Sequence, residues 1–186
     1  MTFRPAPLFQ RKVHVTTDIV TSKNSKKKAF ALFAVVALVW LVFDRLTKAY
    51  FEGAYELGQA GANCGLFRFT LVHNTGAAWG MFGDSTFALG ITSSIVCVLI
   101  VLVFAFWEKL AGHAPSALET IALALVCSGG LGNAIDRFSQ LYVVDFIDLT
   151  FIDFPVFNVA DIGVTCGFVL LVMGYLLATR KEDAHV

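Results

Sequence analysis

The sequence predicts an all-α membrane protein with four transmembrane helices and a small β-containing loop region outside the membrane. Three observations predict it. The 186 residues are 57% hydrophobic and 15% charged, with a mean hydropathy of +0.72, whereas charged residues make up about a quarter of a soluble domain. Four segments stay apolar over the roughly 20 residues a helix needs to cross the hydrocarbon layer. The charges gather mainly at the ends of those segments and between them. A formal net charge of zero gives no footing for nucleic acid, and the one basic run, Lys26-Lys27-Lys28, flanks an apolar segment as membrane-bounding charge does.

Residues 1–28 are polar and basic without apolar periodicity, and a mobile tail is expected there. The first span, 29–51, opens on "AFALFAVVALVWLVF". Its lysine-rich lead resembles a secretory signal peptide, but Asp44, Arg45 and Lys48 follow directly and no A-x-A site appears, so it reads as an uncleaved span. The 52–86 loop contains "LFRFTLVHNTGAAWG", β-favouring residues that run into a turn signal, and a short strand or small sheet is expected. Its Phe67, Phe69 and Trp79 make it a candidate lid.

Spans at 87–107, 117–136 and 159–178 follow. In the third, Gly129, Gly130 and Gly132 would admit another helix closely. Segment 137–158 is expected as a loop and 179–186 as a second tail, around one catalytic domain at 29–178. Backbone groups in lipid must be bonded within their own segment, so the spans are helical. With both termini in the cytoplasm, ten of the 14 Lys and Arg lie inside, the arrangement the positive-inside rule favours. The 52–86 and 137–158 loops then face the opposite side.

Cys64, Cys97, Cys127 and Cys166 fit no Cys-x-x-Cys or Cys/His spacing, and the four histidines are scattered. No metal and no cofactor is expected. The chemistry points instead to "GNAIDRFSQLYVVDFIDLTFIDFPVFNVAD", residues 132–161, where Asp136, Asp145, Asp148, Asp153 and Asp161 share one basic residue, Arg137. Desolvating an unpaired carboxylate costs several kcal/mol or more, on the order of the values for polar burial, so these acids need an explanation.

Several have a structural one. Asp44 and Lys48 stand at i,i+4 on one helix face and can neutralise each other. Asn74 and Gly76 suit a tight turn. Asn133, Asp136 and Arg137 can join in a polar network that closes the third helix. Asn158 suits an N-cap, with Asp161 in the first turn of the last span. Asp148 and Asp153 read as solvated loop acids. Asp145 has no cation nearby in sequence and no such account.

Two carboxylates meeting across the bundle cannot both ionise at close range and share a proton. One then acts as base toward a water and the other as acid toward the carbonyl and leaving amine. A nearby Lys or Arg would hold both ionised, so the scarcity of cations suits such a pair. Spacing alone leaves open which two aspartates form it. The rival function is a proton- or ion-coupled transporter, which prefers acids at the midplane and often an internal repeat; the acids here lie toward one face and no repeat is visible. A non-catalytic scaffold is a third reading.

The ordered set "DRLTK" 44–48, "NTGAAWG" 74–80, "GGLGNAIDR" 129–137, "VVDF" 143–146 and "FNVAD" 157–161 resembles the lipoprotein signal peptidases, or type II signal peptidases, of bacterial inner membranes. The resemblance covers about residues 30–178 and leaves the N-terminal tail unmatched. It implies an aspartic endopeptidase that removes the signal peptide from diacylglyceryl-modified prolipoproteins, cutting on the amino side of the lipid-modified cysteine. It further implies Asp145 and Asp161 as the catalytic pair, with Asn74, Gly76, Asn133, Arg137 and Asn158 binding substrate or orienting the site. Asp44, Lys48 and Asp136 become structural polar residues. Prolipoproteins and membrane lipids are the expected partners, a monomer the expected state, and the extracytoplasmic surface the expected place of the site.

Overall fold

The structure, a computed structural model, describes residues 8–77, 81 and 85–183. In chain order the elements are α1 (Leu8–Ala54), β1 (Ala60–Asn63), β2 (Phe67–Asn74), α2 (Thr86–Ala105), α3 (Trp107–Ala111), α4 (Ala117–Ser139), β3 (Val143–Leu149) and α5 (Val159–Asp183). Among the described residues, four helices are long and apolar enough to span a membrane: Ser25–Ala54, Thr86–Ala105, Ala117–Ser139 and Val159–Leu177. Large apolar side chains such as Leu38, Leu46, Ile95, Leu99, Phe168 and Leu176 are exposed along them, as the lipid-facing side of a bundle requires.

Of the expected N-terminal tail, residues 8–28 are helical and continuous with the first span. The chain holds no Gly or Pro between Leu8 and Gly53, so nothing in it interrupts the helix once the span has nucleated it. Lys26 of this segment pairs with Glu108 at 2.5 Å, tying α1 to α3.

The most buried span is α4, with 61% of its apolar window inside against 11–22% for the other three. Its glycines explain how three helices reach it. A Cβ at Gly129 would collide with the Ala160 carbonyl and Val164 of α5, one at Gly130 would meet Cys97 of α2 at 3.0 Å, and one at Gly132 would lie 2.5 Å from Asp44 of α1. Each glycine thus admits a different neighbour. Gly167 of α5 returns the contact at Ala122 of α4, where a Cβ would stand 2.6 Å from the carbonyl oxygen. Ser116 and Glu119 form a reciprocal capping box at the start of α4, which satisfies donors the first turn leaves open.

At the other end of the bundle lies a three-stranded antiparallel sheet of order β1-β2-β3. Segment 137–158, expected as a loop, contributes β3. Val143, Val144, Phe146 and Ile147 are β-favouring, and β2 supplies the partner edge, pairing Phe67 with Leu149, Val72 with Asp145 and Asn74 with Val143. The period of two sorts the strand. Val144 and Phe146 enter a core with Phe51, Leu71 and Val159, where the Phe51 and Phe146 rings stack at 4.1 Å. Val143, Asp145 and Leu149 face the opposite way, into a cavity.

Candidate active site

The cavity holds about 420 Å³ and lies between β3, the start of α5 and the 154–157 segment. Asp145 enters from β3 and Asp161 from the first turn of α5, with Asn74, Asn133 and Arg137 beside them. The bridge from Ile147 to Phe157 folds the chain back on the sheet, which delivers Asn158 between the two aspartates.

Three asparagines hold the pair. Asn158 is wholly buried; its Nδ2 donates to Asp145 Oδ1 at 2.6 Å, and its backbone N–H donates to Asp161 Oδ2 at 3.0 Å. The Asp161 N–H returns a bond to Asn158 Oδ1 at 3.0 Å, the reciprocal geometry of a capping box, so the helix start and the site are one structure. Asn74 Nδ2 donates to Asp145 Oδ2 at 2.9 Å while its own oxygen accepts from the Gly76 N–H at 3.0 Å. Asn133 Nδ2 donates to Asp161 Oδ1 at 2.7 Å. All four carboxylate oxygens therefore accept from neutral donors.

Asp145 is 2% exposed. Burial, and next the neighbouring charge of Asp161, push its pKa up to about 7, against the opposing hydrogen bonds from Asn74 and Asn158.

The cations lie elsewhere than the sequence reading placed them. Asp136 and Arg137 do not brace each other. Lys48 stands 3.0 Å from Asp44 and 2.9 Å from Asp136, and Arg45 takes the other oxygen of Asp136, because Asp136 points to α1 whereas Arg137, one residue on, turns about 100° around the helix. Arg137 Nη2 donates to the Gly76 carbonyl at 3.1 Å, and the residue lines the cavity. Arg137 thus stands where the resemblance implied, beside the aspartates, while its expected partner Asp136 turns away to α1. Lys48 and Arg45 meet Asp44 and Asp136, and Arg137 shares the cavity with Asp145 and Asp161.

Asp148 is not a free loop acid either. Arg68 lies 2.6 Å from it across the sheet, and Thr70 donates to it at 3.0 Å; Asp153 is exposed. The proposed lid residue Phe69 packs on Phe51 at 4.8 Å, and Trp79 lies outside the described residues. Cavity aromatics come instead from Phe154 and Phe157. Ile162, Thr165 and Cys166 also line the cavity. Those last three follow Asp161 at one, four and five positions, a helical spacing that marks one face and would have found them. Among the described residues, no three His, Cys, Asp or Glu side chains converge as metal ligands do.

Fold and site define a four-span helical membrane protein with a carboxylate pair in a cavity at one end of the bundle. The family model for signal peptidase (SPase) II matches residues 36–177. A lipoprotein signal peptidase of Lactobacillus johnsonii is 34% identical over 154 residues, 82% of this chain and 96% of its own length. One from Thermosynechococcus vestitus is 38% identical over 156 residues, 82% and 95% respectively. A solved structure described as a bacterial membrane enzyme superposes with a TM-score of 0.73 at 29% identity, covering 81% of this chain and 90% of the other. The chain belongs to the signal peptidase II family, proteases that remove signal peptides from prolipoproteins, and is a multi-pass bacterial membrane protein.

Proposed function

We propose that the chain is an aspartic endopeptidase that works within the membrane, cleaving diacylglyceryl-modified prolipoproteins on the amino side of the lipid-modified cysteine. The observation that carries this reading is the joint placement of Asp145 and Asp161 on one cavity, linked by Asn158, which bonds to both. The pair shares one proton. The ionised carboxylate takes a proton from water as the water oxygen attacks the scissile carbonyl. The protonated one donates to the carbonyl oxygen, and the tetrahedral diol collapses as the amine leaves with a proton from the pair and one diol hydroxyl returns its proton to the pair. One amide bond and one water become one acid and one amine.

Neutral amide donors suit this cycle, since they position both carboxylates without fixing either as ionised. Arg137 offers a further donor: its Nε is buried with no hydrogen-bond partner among the described residues, and buried donors are normally satisfied. Substrate backbone is the natural acceptor. The Lys and Arg count supports cytoplasmic termini and a site at the extracytoplasmic surface, where a lipid-anchored cysteine keeps its acyl chains in the bilayer.

The test is cleavage of a diacylglyceryl-modified prolipoprotein by purified Asp145→Asn and Asp161→Asn proteins. Both are expected to be inactive with the fold retained; near-wild-type turnover in either sinks the proposal.

A further inference from the structure

We propose that Lys48 is a positioning residue for the aspartate pair: its ammonium fixes which way the Asn133 amide points, and so places the donor on Asp161. This rests on the peptidase reading above. The two ends of an asparagine amide are nearly equal in size, and only the neighbours decide which end is which. Lys48 Nζ, which can only donate, sits 2.9 Å from Asn133 Oδ1. Asn158 Nδ2, also a donor, is 3.1 Å from the same oxygen. The Asn133 nitrogen is left to face Asp161 Oδ1 at 2.7 Å. Turned over, the amide would set its NH₂ against an ammonium and its oxygen against a carboxylate.

The other two asparagines are locked by backbone. Asn158 Oδ1 accepts from the Asp161 N–H, and Asn74 Oδ1 from the Gly76 N–H. Asn133 alone of the three depends on side chains for its orientation, and the charged one comes from a different helix.

Lys48 is 1% exposed, and what holds it also holds the pair. Asp44 Oδ1 accepts from the Ala160 N–H at 3.0 Å, one residue before Asp161. Asp136 Oδ2 accepts from the Val144 N–H at 3.4 Å, one residue before Asp145. The ion cluster thus touches the backbone beside each aspartate, and Lys48 carries it to Asn133. A small displacement of a group that orients the reacting atoms is costly in rate.

Lys48→Met alone would strand Asp44 and Asp136 with Arg45. The test therefore uses Lys48→Met with Asp44→Asn, which balances the charges and keeps an Oδ1 for the Ala160 N–H. Wild type, this pair, Asn133→Ala and the triple variant are compared for kcat and KM on diacylglyceryl-modified prolipoprotein. We expect the pair and Asn133→Ala each to lose about tenfold to a hundredfold in kcat with KM within about twofold. The triple variant should lose no more than Asn133→Ala alone, because Lys48 acts through Asn133. Losses that multiply, or a pair that keeps its kcat, overturn the proposal. A second measurement needs no activity: in protein labelled with ¹⁵N-asparagine, the Asn133 side-chain amide signals, assigned from Asn133→Ala, should shift in the Lys48→Met/Asp44→Asn protein. Unmoved signals overturn the amide lock. Shifted signals from a protein whose wild type cleaves nothing would leave the lock standing and sink the peptidase reading.

Discussion

Two pairs of carboxylates sit at the same end of the bundle, joined through Asn133, and they are satisfied in opposite ways. Asp44 and Asp136 meet Lys48 and Arg45. Asp145 and Asp161 meet only amide and backbone N–H donors at hydrogen-bond distance. A cation at contact pairs the carboxylate's charge directly and ties it to another helix. A neutral donor holds a carboxylate in place while leaving its proton free to come and go. The first pair is a brace, and the second is the one the proposed peptidase reading uses.

The largest way to break this contrast is to remove a member of the second pair. Asp145→Asn or Asp161→Asn should lower kcat by about 10²- to 10⁴-fold, the range for lost acid–base catalysis, without lowering the unfolding temperature in micelles. Disturbing the brace should do the reverse to the fold. Asp136→Ala leaves Lys48 and Arg45 short of a carboxylate, and should cost about 3–5 kcal/mol of stability, as broken buried pairs do. Unfolding temperatures of Asp136→Ala and Asp145→Asn, measured side by side, check that the two pairs differ.

A pH titration sharpens the comparison. Asp145 has its folded pKa raised from the usual 3.8 to about 7, so the folded state holds the extra proton between those values. Its contribution to stability is present below about pH 4 and is lost as pH rises toward 7. Unfolding temperature should therefore fall across that window in wild type relative to Asp145→Asn, whose difference curve should be flat beyond it. Peptidase activity should decline above pH 7 as the shared proton leaves. The smallest effect belongs to a surface pair. Arg68, 45% exposed at its side chain, bonds Asp148 across the sheet, and Arg68→Ala should change stability by about 0–1 kcal/mol with kcat unaltered.

The helices were legible because lipid imposes length and composition on any span. The site was legible in part. Asn133, Asn158 and the aspartates stand in short motifs at helix ends, where polar residues in an apolar chain are conspicuous. The role of Arg45 is not legible in the sequence, because its partner, Asp136, is 91 residues away and no local spacing points to it. β3 was missed for a related reason: a strand needs a partner, and its partner β2 lies beyond two intervening helical spans.

By itself the sequence determined four apolar helices, a polar end, and the identity of the acids that needed explaining. Those follow from transfer free energies, which each segment carries alone. Only the tertiary structure decided which acid meets which donor. Hydrogen bonds and ion pairs act over about 3 Å, and that distance is set by three helices converging on the glycines of α4 and a sheet that turns Asp145 toward Asn158.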